Sequence, residues 1–361
     1  MRSRSPGGFV VVSTSPPGPR ADPQSPPRAR TRALRGAGLL GAVGVLVLVG
    51  LLSVWVGSKG IPFASTWSVL WHNDGTPDAV IIHDQRIPRT LLGALVGAAL
   101  GLAGAVMQAL TRNPLADPGL LGVNNGAAAA VVSAIAFAGV SGVLGYVWFA
   151  FLGAAAASVV VYLLGTAGRA GATPDRLVMS GAALTAVLQA YIGAVLLIDP
   201  DTFNQFRFWN VGSLSGRRGD VLLQVSPFIA AGIVLALLLA RPLNVLALGE
   251  QTGRALGAHI GRTRVLGAIA VTLLCGAATA AIGPVAFIGL AVPQAVRILV
   301  GPDQRWVLPY SMVLAPVLLI GADVAGRVLN PPEELQVGIV TAFLGAPVFI
   351  ALCRRRKLAR L

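Results

Sequence analysis

The chain has 361 residues, 55% of them hydrophobic, and carries 28 Lys and Arg against 14 Asp and Glu, a net charge of +14. About ten successive apolar runs, each close to the ~20 residues that cross a bilayer, exclude a soluble globular domain and mark an all-α polytopic membrane protein. The cations form no patch interleaved with aromatics, which excludes a nucleic-acid partner.

Residues 1–33 are rich in Pro, Ser, Gly and Arg and cannot bury a core, so they read as a disordered basic tail. The apolar run that follows is too long for the core of a signal peptide. The runs are 34–56, 90–110, a weaker 123–138, then 143–164, 177–197, 221–240, 265–281, 284–300, 306–325 and 338–352. With the N-terminus in the cytoplasm, 21 of the 28 Lys and Arg fall on inner segments and 7 on outer ones. That bias sets the orientation, with both termini cytoplasmic. Gly93, Gly97, Gly101 and Gly104 recur at helical spacing within one run, which allows close helix approach.

Absences narrow the chemistry. No phosphate-binding G-x-x-x-x-G-K-[ST] occurs, and the only lysines are Lys59 and Lys357. His72, His83 and His259 have no partner at metal-ligand spacing, and Cys275 and Cys353 are too few for a cluster or a disulfide framework. The expectation is therefore no catalytic residue, no metal site and no cofactor in this chain. Ionisable residues in the runs are scarce, with Asp323 close to a boundary, so the driving force for any transport comes from elsewhere.

Two loops carry information. Between the second and third runs, Pro114 and Pro118 forbid helix interior, and Asn113 and Asp117 can cap neighbouring helix ends. A well-capped helical hairpin accounts for this loop as well as a functional turn does. Residues 243–264 predict a short cytoplasmic helix bounded by Gly249 and Gly257, with Leu248, Ala255 and Leu256 apolar and Glu250 and Arg254 at i, i+4. It is too short to span and suits a groove on a cytosolic partner; an amphipathic helix resting on lipid is the alternative.

These stretches carry a resemblance. Arg86-x-Pro-Arg89, Gly104-Ala-Val-Met-Gln108, Asn113-Pro-Leu-Ala-Asp-Pro-Gly-Leu-Leu-Gly122, Leu248-Gly-Glu with Arg254-x-Leu-Gly257, the segment from Gly283 to Pro293 and that from Gly338 to Phe349 occur in order. The chain resembles FecCD-type permease subunits of ATP-driven importers for iron–siderophore, haem and vitamin B12, from Leu34 to the C-terminus.

The resemblance implies a BtuC-like permease fold of ten spans over residues 34–361, with a coupling helix near 246–257 built from Leu248, Gly249, Glu250, Arg254, Leu256 and Gly257. It also implies cytosolic ATPase subunits that hold ATP and Mg, a second permease subunit (identical or sister), an extracytoplasmic solute-binding protein and a bacterial cell membrane. Arg86, Arg89 and Arg327 match positions that receive acidic residues of the binding protein, with anchoring to lipid headgroups as the alternative. Thr173, Ser180, Thr185 and Gln189 match the pathway and gate, and Phe203 to Leu214 an external helix. Gly253 stands where the family more often has Ala. An iron–siderophore complex is expected ahead of cobalamin or haem; an ion-coupled secondary transporter and a membrane enzyme are the rival classes. A faint echo between Arg89-Thr-Leu-Leu-Gly-Ala-Leu and Arg264-Val-Leu-Gly-Ala-Ile, entering from opposite sides, suits an inverted repeat.

Overall fold

In a computed structural model the described residues are 28–354, apart from 73, 141, 167–173, 218, 256 and 330–332. Residues 1–27 of the expected tail therefore lie outside the description. Helix α1 (Arg28–Trp55) starts ahead of the first apolar run, and α2 (Phe63–Trp71) and α3 (Pro77–Thr111) follow. Next come α4 (Val123–Ala138), α5 (Val143–Thr166), α6 (Pro174–Ile198), α7 (Pro200–Asn210) and α8 (Gly219–Leu238). Two short helices, α9 (Ala240–Ala247) and α10 (Glu250–Ala255), lead to α11 (Ile260–Ile282), α12 (Ile288–Val300), α13 (Gln304–Leu329) and α14 (Val337–Arg354).

Seven of these are long and apolar enough to cross a membrane, and α4, α12 and α14 are shorter apolar helices that complete ten crossings. The alternation puts the start of α1 and the end of α14 on one face, here the proximal face; the other is the distal face.

Helix α3 is the axis. Its apolar window is 78% buried, against 11% for α1 and 6% for α6, which lie outside. Glycines make this position available. A Cβ at Gly97 would fall 2.5 Å from Pro316 Cα, one at Gly101 2.5 Å from the Ser311 carbonyl oxygen, and one at Gly104 1.7 Å from the Gly289 oxygen. The row read from the sequence is therefore the seam against α12 and α13, where backbones meet without intervening side chains. In lipid this contact is held by dispersion and close fit, since expulsion of water contributes little.

Two elements stop short. At ~1.5 Å per residue, α12 is about 20 Å long, less than the ~30 Å hydrocarbon core. The sequence predicts an uninterrupted apolar run over 284–300. Instead α11 ends at Ile282, residues 283–287 are non-helical, and α12 starts at Ile288, capped by Phe287, whose φ is 69°. The start of α12 meets α3 midway, since a Cβ on Gly289 would lie 3.0 Å from the Leu100 oxygen and 3.3 Å from the Pro118 ring.

The loop 112–122 does the same from the proximal face. Arg112 closes α3 in the left-handed region at φ 51°, the chain turns back, and Pro118 reaches Gly289. Asp117 caps the short turn of helix at Pro118–Leu121 as the sequence predicts, its Oδ1 accepting from Gly119 N at 2.8 Å, whereas Asn113 Oδ1 accepts from Leu115 N at 2.9 Å within the loop and caps no helix. Helix α4 then starts beside the middle of α5, where Gly126 and Gly153 nearly touch. Irregular backbone at this depth is tolerated because protein surrounds it.

The short helix α2 is not predicted from the sequence. Trp55, Phe63, Trp67 and Trp71 form a ring-to-ring ladder at 5.4, 6.3 and 6.0 Å on the distal face, with all four rings exposed. This is the pattern of an aromatic belt at the level of lipid headgroups.

Replacing Gly104 by Ala forces α3 and α12 apart and costs about 1–3 kcal/mol. The same change at Gly44, which has nothing within 4 Å of a built Cβ, is neutral. Thermal unfolding of the two variants in detergent, read side by side, checks this.

Candidate functional site

On the distal face the three arginines expected to receive a docking protein do come together, and the structure shows what else holds them. Helix α1 ends with carbonyl groups that have no partner in the helix, the negative pole of its dipole. Arg86 Nη1 donates to the Val54 and Trp55 oxygens at 3.1 and 2.5 Å, and its Nη2 to the Lys59 oxygen at 2.6 Å. Arg327 Nη1 donates to the Ser53 and Val56 oxygens at 2.8 and 2.9 Å. Two guanidinium groups from α3 and α13 thus finish α1.

Asp323 balances them. It is 2% exposed, pairs with Arg327 one turn along α13, and accepts from Arg89 Nη2 at 2.7 Å. Arg89 Nη1 also reaches Glu334 at 2.7 Å, before α14. Ser53 and Thr90 share a hydroxyl hydrogen bond at 2.8 Å alongside. Arg86 and Arg327 are buried and Arg89 is largely so, with their donors directed into the chain. Asp323 lies near the distal end of its helix, as expected, and is buried there as the anchor of this network.

Next to the network is a recess of about 870 Å³, lined by His83, Asp84, Gln85, Arg89, residues 214–217, Asp220 and Glu334. Helix α7 closes the neighbouring surface. Asp199 caps it, accepting from the Thr202 hydroxyl at 2.6 Å and from the Asp201 and Thr202 amides, and these bonds hold its carboxyl below the usual range. Of the expected external aromatics, Phe206 and Trp209 are buried while Phe203 and Phe208 face out. The loop behind α7 is stitched to the crossings: Ser213 N donates to the Ile282 oxygen at 2.8 Å and Gly338 N to the Gly212 oxygen at 3.1 Å.

Thr185 and Gln189 of α6 form a polar ladder with Asn125 of α4. Asn125 Nδ2 donates to Thr185 Oγ1 at 3.3 Å and Gln189 Nε2 to Asn125 Oδ1 at 3.1 Å. Ser133 and Tyr191 continue it at 2.6 Å, and Gln189 and Tyr191 are exposed. Ser180 is half-buried on the same helix, and Thr173 lies outside the described residues.

On the proximal face, α10 lies between Gly249 at φ 98° and Gly257 at φ 78°, the two bounds read from the sequence. Glu250 pairs with Arg264 at the start of α11 and, more loosely at 3.7 Å, with Arg254. Leu248 is 60% exposed and Arg254 faces out, while Leu256 is outside the described residues. Gly253 is buried, with a built Cβ 3.2 Å from Ile260 Cδ1, so the absence of a methyl there lets α10 sit close on α11. Asn244 of α9 reaches across to Asp303 at 2.6 Å and accepts from Gln304 N at 2.8 Å.

Several residues to which the sequence analysis gave no individual role are structurally central. Gln108 donates to the Leu290 oxygen at 3.1 Å and accepts from the buried Arg297, joining α3 to α12. Asn124 accepts the Thr279 hydroxyl at 2.9 Å, joining α4 to α11. A polar side chain inside an apolar run is the signal available for each.

Asn at position 323 leaves two buried guanidinium groups without their shared carboxylate and costs about 3–5 kcal/mol. Asn at Asp78, whose pair with Lys59 is solvent-exposed, costs ~1 kcal/mol or less. The difference in melting temperature between D323N and D78N in detergent measures this, and the D323N loss persists in high salt.

Similarity to known proteins agrees with this arrangement. The profile of the FecCD transport family matches residues 45–355. The chain is 47% identical over 329 residues to the ferric enterobactin transport system permease protein FepD of Escherichia coli (strain K12), covering 91% of this chain and 97% of that one. It is 36% identical over 320 residues to the hemin transport system permease protein HmuU of Yersinia pestis, covering 87% and 94%. Among solved structures it is similar to a metal-chelate type ABC transporter in an inward-facing conformation, with a TM-score of 0.78 and 26% identity over 89% of this chain and 99% of that one. From its ten apolar crossings to its ordered motifs, the chain belongs to the FecCD transport family.

Proposed function

We propose that this chain is one transmembrane half of an ATP-driven importer that moves a ferric siderophore complex into the cytoplasm. In this reading the proximal face is cytoplasmic, the distal face receives an extracytoplasmic solute-binding protein, and ATP and Mg are held by separate cytosolic ATPase subunits. A second permease subunit completes the pathway along the exposed face of α6, where Ser180, Thr185 and Gln189 offer hydroxyl and amide groups to a bulky polar chelate. Thr173 belongs to the same proposed pathway by sequence. Siderophore is preferred as cargo because the relatives compared include a ferric enterobactin permease at 47% identity.

The observation that carries this reading is the construction around Glu250. A six-residue helix is too short to stand alone. Here it is pinned at one end by Glu250–Arg264 and framed by two left-handed glycines, leaving Leu248 and Arg254 outward. Such a knob suits a cleft in a partner. A push on it is carried to α11 through Arg264, and to α13 through Asn244 and Asp303, without slack in a floppy loop. Docking on the distal face remains assigned to the surface over Arg86, Arg89 and Arg327, whose network fixes the helix ends on which a partner lands. An ion-coupled carrier needs a buried acid free to change charge, whereas Asp323 is held between two arginines.

In vesicles containing this chain and its ATPase partner, ferric siderophore uptake requires ATP and is abolished by Leu248→Asp, with membrane insertion unchanged. Gly249→Val, which forces a branched residue to φ 98°, gives the same loss. Uptake driven by an ion gradient through this chain alone, without nucleotide, overturns the reading. Growth of a deletion strain on defined ferric chelates under iron starvation identifies the cargo.

A further inference from the structure

The recess of about 870 Å³ beside the arginine network is lined by one cation that makes no ion pair among the described residues. Arg89 directs its donors to Asp323 and Glu334. Arg217, in the loop before α8, is only 6% exposed. Its Nε donates to the Ser213 oxygen at 3.3 Å, and its Nη1 has no acceptor among the described residues. Burial pushes this guanidinium down to about 10.

The loop is built to keep Arg217 there. Gly212 at φ 78° and Gly216 at φ 69° make the bends, Ser213 N is tied to the end of α11, and Ser215 N donates to Ser213 Oγ at 3.1 Å. A buried cation with no counter-ion is costly, and an anion that enters the recess offsets that cost. A planar guanidinium can offer a carboxylate two parallel hydrogen bonds. Asp84 and Asp220 also line the recess, but they are exposed and screened by water, so the strong local field comes from the buried group. Small-molecule sites typically enclose ~300–1,000 Å³, whereas one protein side chain would leave most of this space empty.

We infer that the recess is a binding site for an anionic, carboxylate-bearing small solute, received by Arg217 at the distal mouth. The inference rests on the import reading only in placing this mouth where cargo arrives.

The test uses the full chain in lipid nanodiscs, titrated calorimetrically with metal-free citrate, with sulfate as a comparison anion. Citrate binds the wild-type chain, binds about tenfold or more weakly in R217Q, and stays within a few-fold of wild type in R217K. K59Q, an exposed distal lysine, leaves binding unchanged. Modification of Arg217 by phenylglyoxal, mapped by mass spectrometry on the wild-type chain, is slowed by citrate whether or not R217Q folds. Absent citrate binding, equal affinity in R217Q, equal affinity for sulfate, or no protection of Arg217 each overturns the inference. Loss of ATP-driven uptake with Arg217-dependent citrate binding intact removes the import reading and leaves this site; the opposite pattern removes this site alone.

Discussion

The distal half of the bundle depends on how α1 ends. Helix carbonyls at a C-terminus need donors, and in a membrane protein water is not always there to supply them. Arg86 from α3 and Arg327 from α13 supply them, which introduces positive charge beside a hydrocarbon environment. Asp323 answers that charge and brings Arg89 with it, and Arg89 in turn holds Glu334. Each group is tolerable only because the next is present. Removing one member therefore leaves a buried charge, whereas a wholly apolar junction would leave α1 without donors for its last turn.

The second constraint is distance. An axial helix surrounded by others can be held by close backbone contact only if its side chains are small at the seams. Gly97, Gly101 and Gly104 bring α3 against Pro316, Ser311 and Gly289. That contact also permits the irregular segments before α4 and α12, because backbone atoms at that depth find protein groups around them. Two half-length helices, each starting partway along its neighbours and reached from opposite faces, are what an inverted internal symmetry produces. The paired arginines agree: Arg89 enters α3 from the distal face on carboxylates, and Arg264 enters α11 from the proximal face on Glu250.

Rigidity and mobility are divided accordingly. The Arg–Asp network and the glycine seams unite α1, α3 and α13 into one body. Helix α6 shares few contacts of that kind and meets α4 through a ladder of hydroxyl and amide groups. Such bonds exchange partners readily with water or a polar solute, while buried charge pairs do not. The chain thus has a frame held by buried charge pairs and glycine seams, and one helix, α6, held by polar groups that are open to exchange.

The primary sequence by itself determined the class, the ten crossings and the seams. Hydropathy depends on local composition, and a row of glycines at helical spacing states where backbones meet. It also marked the bounds of α10, since Gly249 and Gly257 are needed for a left-handed backbone whatever surrounds them. Pairings were hidden. Asp323 and Arg327 stand one turn apart in the sequence, but Arg89 and the end of α1, which they hold, lie more than 230 positions away in the chain. The break in the run 284–300 was hidden too, because every residue from Val285 to Val292 is apolar or glycine and the interruption comes from packing against Leu100 and Pro118. Only the tertiary structure decided which arginines are committed inward and that Arg217 lines the distal recess with an Nη1 that has no acceptor among the described residues, because hydrogen-bond saturation is a property of neighbours in space.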